Sequence, residues 1–167
     1  MIKIKKYYYP LLFLYFFLIF LGALPSLKLP GGIRVFIVKT GSMKPTLSPG
    51  DIVITKPEVD YRPQEIVTFL NPNQGTNEYP TLTHHIQTIT EKNGATAYIT
   101  KGDANPLPDK EIITLNNIIG RVFLSIPLLG YATDFLKSKI GFIIFIMTPG
   151  IFIIFQEIMH IKRYIRK

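Results

Sequence analysis

The stretch IRVFIVKTGSMKPTLSPGDIVIT, residues 33 to 55, contains two short β-branched runs separated by a segment rich in turn-forming residues. Runs such as IRVFIV (33–38) and GDIVIT (50–55) favour β-strands. The segment between them, TGSMKPTLSPGD (40–51), places Ser42 directly after a glycine and shortly before a proline. Because Gly, Ser and Pro are ordinary turn residues, this stretch alone leaves open whether Ser42 is a turn residue or a nucleophile.

Three runs of the same character follow downstream: EIVTFL (65–70), LTHHIQTIT (82–90) and TAYIT (96–100). They are bounded by Pro, Asn, Gly and Asp clusters, and the pair Asn93–Gly94 is of the type that forms a tight hairpin turn. The segment NPNQGTNEYP (71–80) has the composition of a polar loop. With no long helical periodicity between these runs, the pattern predicts a small, mostly antiparallel sheet domain.

An uncharged run of 21 residues, YYYPLLFLYFFLIFLGALPSL (7–27), precedes this domain. A helix of that length spans about 30 Å, which is the hydrocarbon thickness of a bilayer. A cleaved signal peptide is the competing interpretation. The run exceeds the usual hydrophobic region of such a peptide, and Pro25 makes a poor cleavage site, so we predict an uncleaved transmembrane helix over residues 7–27.

A second uncharged run, IGFIIFIMTPGIFIIFQ (140–156), follows the domain. Its length is at the lower limit for a helix that crosses a bilayer. Residues Thr148–Gly150 interrupt it, but a membrane helix tolerates such residues when neighbouring groups satisfy the freed backbone hydrogen bonds. A buried core helix, or a hairpin that enters the membrane without crossing it, is the alternative. We predict a transmembrane helix over residues 140–158.

The net charge of +8 is concentrated at the two ends of the chain. Seven of the 19 basic residues lie in the first six or last six positions, whereas residues 28–139 hold 12 basic and 10 acidic residues. This distribution removes the main argument for nucleic-acid binding. Because basic flanks lie on the cytoplasmic side, residues 1–6 and 159–167 are predicted to be cytoplasmic, with 28–139 as the extracytoplasmic domain of a multi-pass plasma-membrane protein.

The candidate chemical groups are few. The chain has no cysteine, which excludes a disulfide scaffold, a thiolate metal site and a cysteine nucleophile. Of the three histidines, His160 is predicted to lie on the cytoplasmic side, away from Ser42. His84 and His85 are adjacent in a predicted strand, where successive side chains point to opposite faces, so at most one of them faces Ser42.

The loop TKGDANPLPDKE (100–111) adds Asp103 and Asp109. A serine hydroxyl is a weak nucleophile unless a base takes its proton, and that base works best when a carboxylate orients it, so Ser, His and Asp form a plausible set. Their chain order matches none of the three familiar triad orders, and no G-x-S-x-G motif occurs. No metal-ligand cluster is visible in the sequence, so we expect neither a metal nor a cofactor.

At these positions the chain resembles type I signal peptidases, in particular the serine–histidine branch found in archaea, the endoplasmic reticulum and some Gram-positive bacteria. The resemblance covers roughly residues 7 to 135, and its short motifs occur in family order and with family spacing. Each motif alone is weak, but the ordered set is specific. The motifs are GSMKPT (41–46), GDIV (50–53), THHI (83–86), KGDANPLPD (101–109), IIGRV (118–122) and IPLLGY (126–131).

The resemblance implies roles for individual residues. Ser42 matches the nucleophile, His84 the general base and Asp109 the aspartate of the triad. His85 stands where this branch of the family normally has arginine, which leaves open at this point which of the two imidazoles acts. Asp103 resembles a second required acid that holds its loop in shape.

Three residues near Ser42 complete the predicted oxyanion and substrate-binding set: Thr40, Met43 and Pro45. The hydroxyl of Thr40 and the backbone N–H of Ser42 would form the oxyanion hole. An ordinary strand-end threonine is the alternative for Thr40. Pro45 would help to fix the turn that presents Ser42.

The fold that the resemblance implies is a mainly β catalytic domain with antiparallel sheets, anchored by two transmembrane helices. The implied activity is that of a membrane-bound serine endopeptidase that removes N-terminal signal peptides next to small residues. Its expected partners are the signal peptides of secretory preproteins, the lipid bilayer and the protein-export translocon, but not nucleic acid. Three alternatives stay open: a serine–lysine enzyme using Lys92 or Lys101, a processing peptidase with a narrow substrate set, and an inert membrane-anchored β module that binds exported proteins.

Overall fold

The strands in the middle of the chain pair into a single antiparallel sheet. The computed structural model describes residues 2–27, 29–71 and 80–165, and within these residues the sheet has seven strands in the order β1-β2-β7-β3-β4-β5-β6. All neighbouring strands are antiparallel. The strands are β1 (Arg34–Ile37), β2 (Ile52–Lys56), β3 (Ile66–Leu70), β4 (Thr81–Lys92), β5 (Ala95–Lys101), β6 (Ile113–Thr114) and β7 (Ile118–Ile126).

The five predicted strands correspond to β1 to β5, and the predicted antiparallel pairing is confirmed. The predicted tight turn between β4 and β5 is confirmed as well. Asn93 and Gly94 both have positive φ, 53° and 77°, which is the backbone conformation of a two-residue hairpin turn. The turn joins the paired residues Lys92 and Ala95, so the register of the hairpin follows from it.

Strand β7 is not predicted from the sequence, although it lies at the centre of the sheet between β2 and β3. A glycine within a strand pattern weakens the strand signal, and Gly120 lies inside β7. The structure gives the reason for this glycine. A Cβ at Gly120 would lie 2.6 Å from the backbone carbonyl carbon of Lys56, so only glycine allows the chains to approach this closely.

The segment that carries Ser42 is anchored in one of the two clusters of the core. This cluster contains Val38, Met43, Leu47 and Val53, and Met43 and Leu47 are only 1% and 2% exposed. The apolar side chains before and after Ser42 are thus buried against β2, which fixes the backbone of this segment to the sheet. The second cluster contains Tyr61, Val67, Phe69, Ile86, Tyr98 and Ile113.

Two of the sequence motifs meet at the far end of the Ser42 segment. The buried carboxylate of Asp51 accepts hydrogen bonds from the backbone N–H of Ser48 at 2.8 Å and of Leu128 at 3.1 Å. The N–H of Gly130 donates to the carbonyl oxygen of Gly50 at 2.8 Å. These bonds join the motifs GDIV and IPLLGY, and so fix the end of the Ser42 segment to the end of β7.

The chain divides into two compact units, Pro25–Gly130 with the sheet and Met1–Leu24 with Tyr131–Lys167. Residues 131 to 139, which the sequence analysis assigns to the extracytoplasmic domain, thus belong to the helical unit. Helix α1 extends over Ile2–Ala23, and helix α2 extends over Leu129–Lys137. A longer helical run follows, made of α3 (Lys139–Phe142), a π-helical turn (Ile143–Met147) and α4 (Thr148–Ile165).

Within the described residues, the run Lys139–Ile165 is the one helix long and apolar enough to cross a membrane, at 27 residues. The π-helical turn ends at Met147, two residues before Pro149, which lacks an N–H. The Thr148 hydroxyl donates to the carbonyl oxygen of Ile143 at 2.8 Å. Of the first helical segment, the part that meets the same test of composition among the described residues is the shorter stretch Leu12–Ser26. The described part of the chain therefore combines one antiparallel sheet with one helix long and apolar enough to cross a membrane.

Some of the predicted segments fall on residues that the structure does not describe. These are Met1 of the predicted cytoplasmic segment 1–6, Lys28 at the predicted start of the domain, residues 72–79 of the predicted polar loop, and the last two residues of the predicted basic tail.

Candidate active site

Ser42 lies in a tight turn after β1. The N–H of Lys44 donates to the carbonyl oxygen of Gly41 at 3.1 Å, and the N–H of Leu47 donates to that of Met43 at 2.9 Å. These local bonds, with the burial of Met43 and Leu47, determine where the Ser42 side chain points. The hydroxyl oxygen of Thr40 lies 3.2 Å from that of Ser42.

His84 approaches Ser42 from β4, and its imidazole Nε2 lies 3.0 Å from the Oγ of Ser42. The residue is only 4% exposed, and Phe69 contacts its ring edge to face, with centroids 6.1 Å apart. In the sheet, His84 is paired with Val67 of β3. Sheet pairing and the aromatic neighbour thus hold the imidazole in one orientation.

Asp109 lies on the other side of the imidazole, with its Oδ2 at 2.5 Å from Nδ1 of His84. A carboxylate oxygen only accepts hydrogen bonds, so the proton of a neutral imidazole belongs on Nδ1. Nε2 is then free of a proton and can accept the hydrogen of the Ser42 hydroxyl. This is the tautomer that a general base needs.

His85 and Asp103 form a separate pair. The Nε2 of His85 lies 3.3 Å from Oδ1 of Asp103, and its Nδ1 lies 2.9 Å from the carbonyl oxygen of Gln64. Two adjacent residues of β4 therefore have different partners, as the alternation of a strand requires. His84 contacts Ser42 and Asp109, whereas His85 and Asp103 contact each other.

The loop after β5 contacts the backbone of the turn that contains Ser42. The N–H of Ala104 donates to the carbonyl oxygen of Ser42 at 2.8 Å. At Gly102 a Cβ would lie 2.6 Å from that same oxygen and 3.0 Å from Nε2 of His84. Glycine is therefore required where the loop passes the serine and the histidine.

A cleft of about 220 Å³ opens beside Ser42. Its walls come from two chain segments, residues 36–40 and residues 80–83, and it also contacts Met43. Pro45 does not belong to the described residues that line this cleft; it lines a second depression with Gln64, His85 and Asp103. Of the predicted substrate-binding residues, the structure places Thr40 and Met43 at the cleft and Pro45 outside it.

Each wall of the cleft includes a strand segment that, within the described residues, is paired on one side. Strand β1 is at the edge of the described sheet. On the opposite wall, β3 pairs with Thr81–Thr83, whereas β5 pairs with β4 only from His85 onward. Exposed strand edges of this kind are where proteins bind extended peptides by strand addition.

Two residues that contact the site are missing from the predicted set, Thr100 and Gly102. The hydroxyl of Thr100 donates to Oδ2 of Asp109 at 2.6 Å. Its signal in the sequence is a polar residue at an inward-facing position of the predicted strand TAYIT. The signal for Gly102 is its place between a strand and a turn-rich loop, where glycine often marks a close approach of two backbones.

The lysines considered as alternative bases lie elsewhere. Lys101 is paired with His85 across the sheet and lines the second depression, and Lys92 stands at the turn of the β4–β5 hairpin. Within the described residues, no group of three or more His, Asp or Glu side chains could hold a metal ion.

No protein-family model and no curated protein sequence matches the chain. The function is therefore inferred from the geometry around Ser42 and from the resemblance of the motifs.

Proposed function

We propose that this protein is a membrane-bound serine endopeptidase of the type I signal peptidase kind, which removes N-terminal signal peptides from exported proteins. The observation that carries the proposal is the hydrogen-bonded series from the Oγ of Ser42 through His84 to Oδ2 of Asp109. Nucleophile, base and orienting carboxylate are in contact, although they come from distant parts of the chain.

In the first half of the reaction, Nε2 of His84 takes the proton of the Ser42 hydroxyl as Oγ attacks the carbonyl carbon of the scissile peptide bond. The charge that develops on the carbonyl oxygen is stabilised by the N–H of Ser42 and the hydroxyl of Thr40; one such donor typically contributes about 3 kcal/mol. The C–N bond then breaks, and His84 gives its proton to the departing amine, which is the new N-terminus of the mature protein. The signal peptide remains as an ester on Ser42.

In the second half, His84 takes a proton from water, and the resulting hydroxide attacks the ester carbon. The bond to Oγ breaks, His84 returns the proton to Ser42, and the signal peptide leaves with a free carboxylate. Throughout both halves Asp109 stabilises the protonated imidazole.

The cleft supports an extended peptide as the substrate. An incoming strand can pair with the edge of β1 on one wall and with Thr81–Thr83 on the other, which gives affinity independent of side chains. The buried Met43 beside Ser42 and the small volume of the cleft favour small side chains next to the scissile bond.

Two membrane spans, with both termini in the cytoplasm, are part of the proposal. The helix Lys139–Ile165 has the required length, and α1 would provide the second span. In the helical unit, a Cβ at Gly150 would lie 2.7 Å from the hydroxyl oxygen of Tyr15, so α1 approaches the long helix at a small residue, as membrane helices do. Such anchoring would keep the enzyme at the bilayer surface, where the end of a signal peptide emerges.

The test compares purified wild type with Ser42→Ala in detergent, using a preprotein that has an Ala-x-Ala site and sequencing the cleaved product. We expect cleavage after the second alanine by wild type and none by Ser42→Ala. Cleavage by both proteins would rule out Ser42 as the nucleophile. Cleavage of surface-protein precursors alone would favour the narrow processing peptidase, and binding of exported proteins without any cleavage would favour the inert module.

A further inference from the structure

Thr100 contacts the carboxylate of Asp109, the same group that contacts His84. It is 0% exposed, near the end of β5 and opposite Ile86 of β4. Its hydroxyl donates to Oδ2 of Asp109 at 2.6 Å, and the backbone N–H of Asp109 donates to the carbonyl oxygen of Thr100 at 2.8 Å. Two hydrogen bonds, one from a side chain and one from the backbone, thus attach Asp109 to a single residue of the sheet.

The two donors that reach Asp109 meet at the same oxygen atom. Nδ1 of His84 and the hydroxyl of Thr100 both contact Oδ2. Because both donors lie on strands of the sheet, the sheet contributes directly to the position of that oxygen.

The residues on either side of Asp109 in its loop are exposed to solvent. Leu107, two residues earlier, is 71% exposed, and the side chain of Asp109 is itself 20% exposed, so water can compete for the carboxylate. A buried donor that already occupies Oδ2 reduces this competition and limits rotation of the carboxylate. The geometry therefore makes the orientation of Asp109 dependent on Thr100.

We infer that Thr100 is a positioning residue for the peptidase reaction: its hydroxyl holds Oδ2 of Asp109 where the Nδ1–H of His84 can donate to it. This inference rests on the proposed function. Thr100 acts through Asp109 and His84 and lies outside the residues that line the cleft. Its loss should therefore lower kcat and leave KM close to that of wild type.

Thr100→Val keeps the shape of the side chain and removes the donor. Since hydrogen bonds to charged groups are among the stronger ones, we expect kcat to fall roughly 10- to 100-fold. Thr100→Ser keeps the hydroxyl and should recover most of the loss. Thr55→Val is the matched control, because Thr55 is also 0% exposed and its hydroxyl bonds to the carbonyl oxygen of Arg34 in β1.

A second measurement does not depend on proteolysis. The Nδ1–H proton of His84 is followed by NMR in detergent for the same four proteins. We expect its resonance to shift, or to disappear through exchange with water, in Thr100→Val, and to stay in place in Thr100→Ser and Thr55→Val. An unchanged resonance in Thr100→Val would overturn the inference even if kcat fell, because the fall would then have another structural cause.

The two measurements separate the inference from the function on which it rests. If wild type cleaves no preprotein, the proposed function fails, while the resonance still decides whether Thr100 positions Asp109 against His84. If Thr100→Val does not fold, Thr100→Ala and Thr100→Ser are compared instead. These two variants differ by one hydroxyl, so their difference measures the contribution of the donor. Equal kcat and equal resonances in that pair would overturn the inference.

Discussion

The backbone N–H of Ala104 donates a hydrogen bond of 2.8 Å to the carbonyl oxygen of Ser42. This bond joins the loop that leads to Asp109 with the turn that presents the serine hydroxyl. The loop approaches so closely that Gly102 lies against both Ser42 and His84. The two parts of the candidate site are therefore positioned by each other as well as by the sheet.

Gly102→Ala should strongly reduce the proposed peptidase activity. The new Cβ would lie 2.6 Å from the carbonyl oxygen of Ser42, a distance that backbone atoms do not tolerate, so the loop must move away from the nucleophile. We expect a loss of at least about 100-fold in kcat, since small displacements of catalytic groups have effects of that size. Gly22→Ala is the control, because its Cβ would meet Leu136 at an ordinary 3.7 Å. Near-normal activity of Gly102→Ala would mean that the loop is not held against Ser42.

The two adjacent histidines should differ sharply in their effect on cleavage. His84→Ala removes the proposed base and should lower kcat by about 10⁴-fold or more, as loss of a triad member does in serine proteases. His85→Ala removes the contact with Asp103 and should cost far less, because His85 does not contact Ser42. Preprotein cleavage by each variant checks this. Equal losses in both variants would contradict the division of roles between the two imidazoles.

Loss of a buried side chain that packs against the Ser42 segment should lower the free energy of unfolding. Val53 is 0% exposed in the cluster that contains Met43 and Leu47, and Val53→Ala should reduce the free energy of unfolding by about 2 kcal/mol. Val59→Ala is the matched control. Val59 is 90% exposed, so the same substitution should change the free energy by less than about 0.5 kcal/mol. Urea unfolding in detergent measures the free energy of unfolding of both variants. It can be followed by the near-UV circular dichroism of tyrosine, since the chain has no tryptophan. Equal losses of stability in the two variants would contradict the packing around Val53.

Ionisation of Tyr61 at alkaline pH should lower the stability of the unit that contains the sheet. Burial raises the pKa of the Tyr61 phenol above its ordinary value of 10.0, opposed in part by the hydrogen bond from the backbone N–H of Glu58. The folded protein therefore retains the phenol proton more tightly than the unfolded chain. This contribution to stability is fully present below about pH 10 and is lost as the pH rises through the folded-state pKa.

The corresponding measurement is the melting temperature as a function of pH, for wild type and for Tyr61→Phe. Above about pH 10 the melting temperature of wild type should fall more steeply than that of Tyr61→Phe, which has no phenol at this position. Tyr131→Phe, at an exposed tyrosine, should follow wild type. Parallel slopes for wild type and Tyr61→Phe would mean that Tyr61 does not contribute to the alkaline loss.

Features that depend on neighbouring residues could be predicted from the amino-acid sequence. Five strands, the positive-φ hairpin at Asn93–Gly94 and the long apolar helix follow from side-chain periodicity, turn chemistry and hydropathy, all of which act over a few residues. Alternation along β4 also required that His84 and His85 face different partners.

The resemblance of the motifs predicted Ser42 and Asp109 as the partners of His84, but the contacts themselves are seen only in the folded chain. Ser42, His84 and Asp109 come together because β4 lies between β3 and β5 and because the loop after β5 returns to the Ser42 turn. Such contacts depend on strand order and register, which local patterns do not specify. The central position of β7 and the hydrogen bond from Thr100 could not be predicted for the same reason. Each depends on chain segments that are distant in sequence and meet only in the folded sheet.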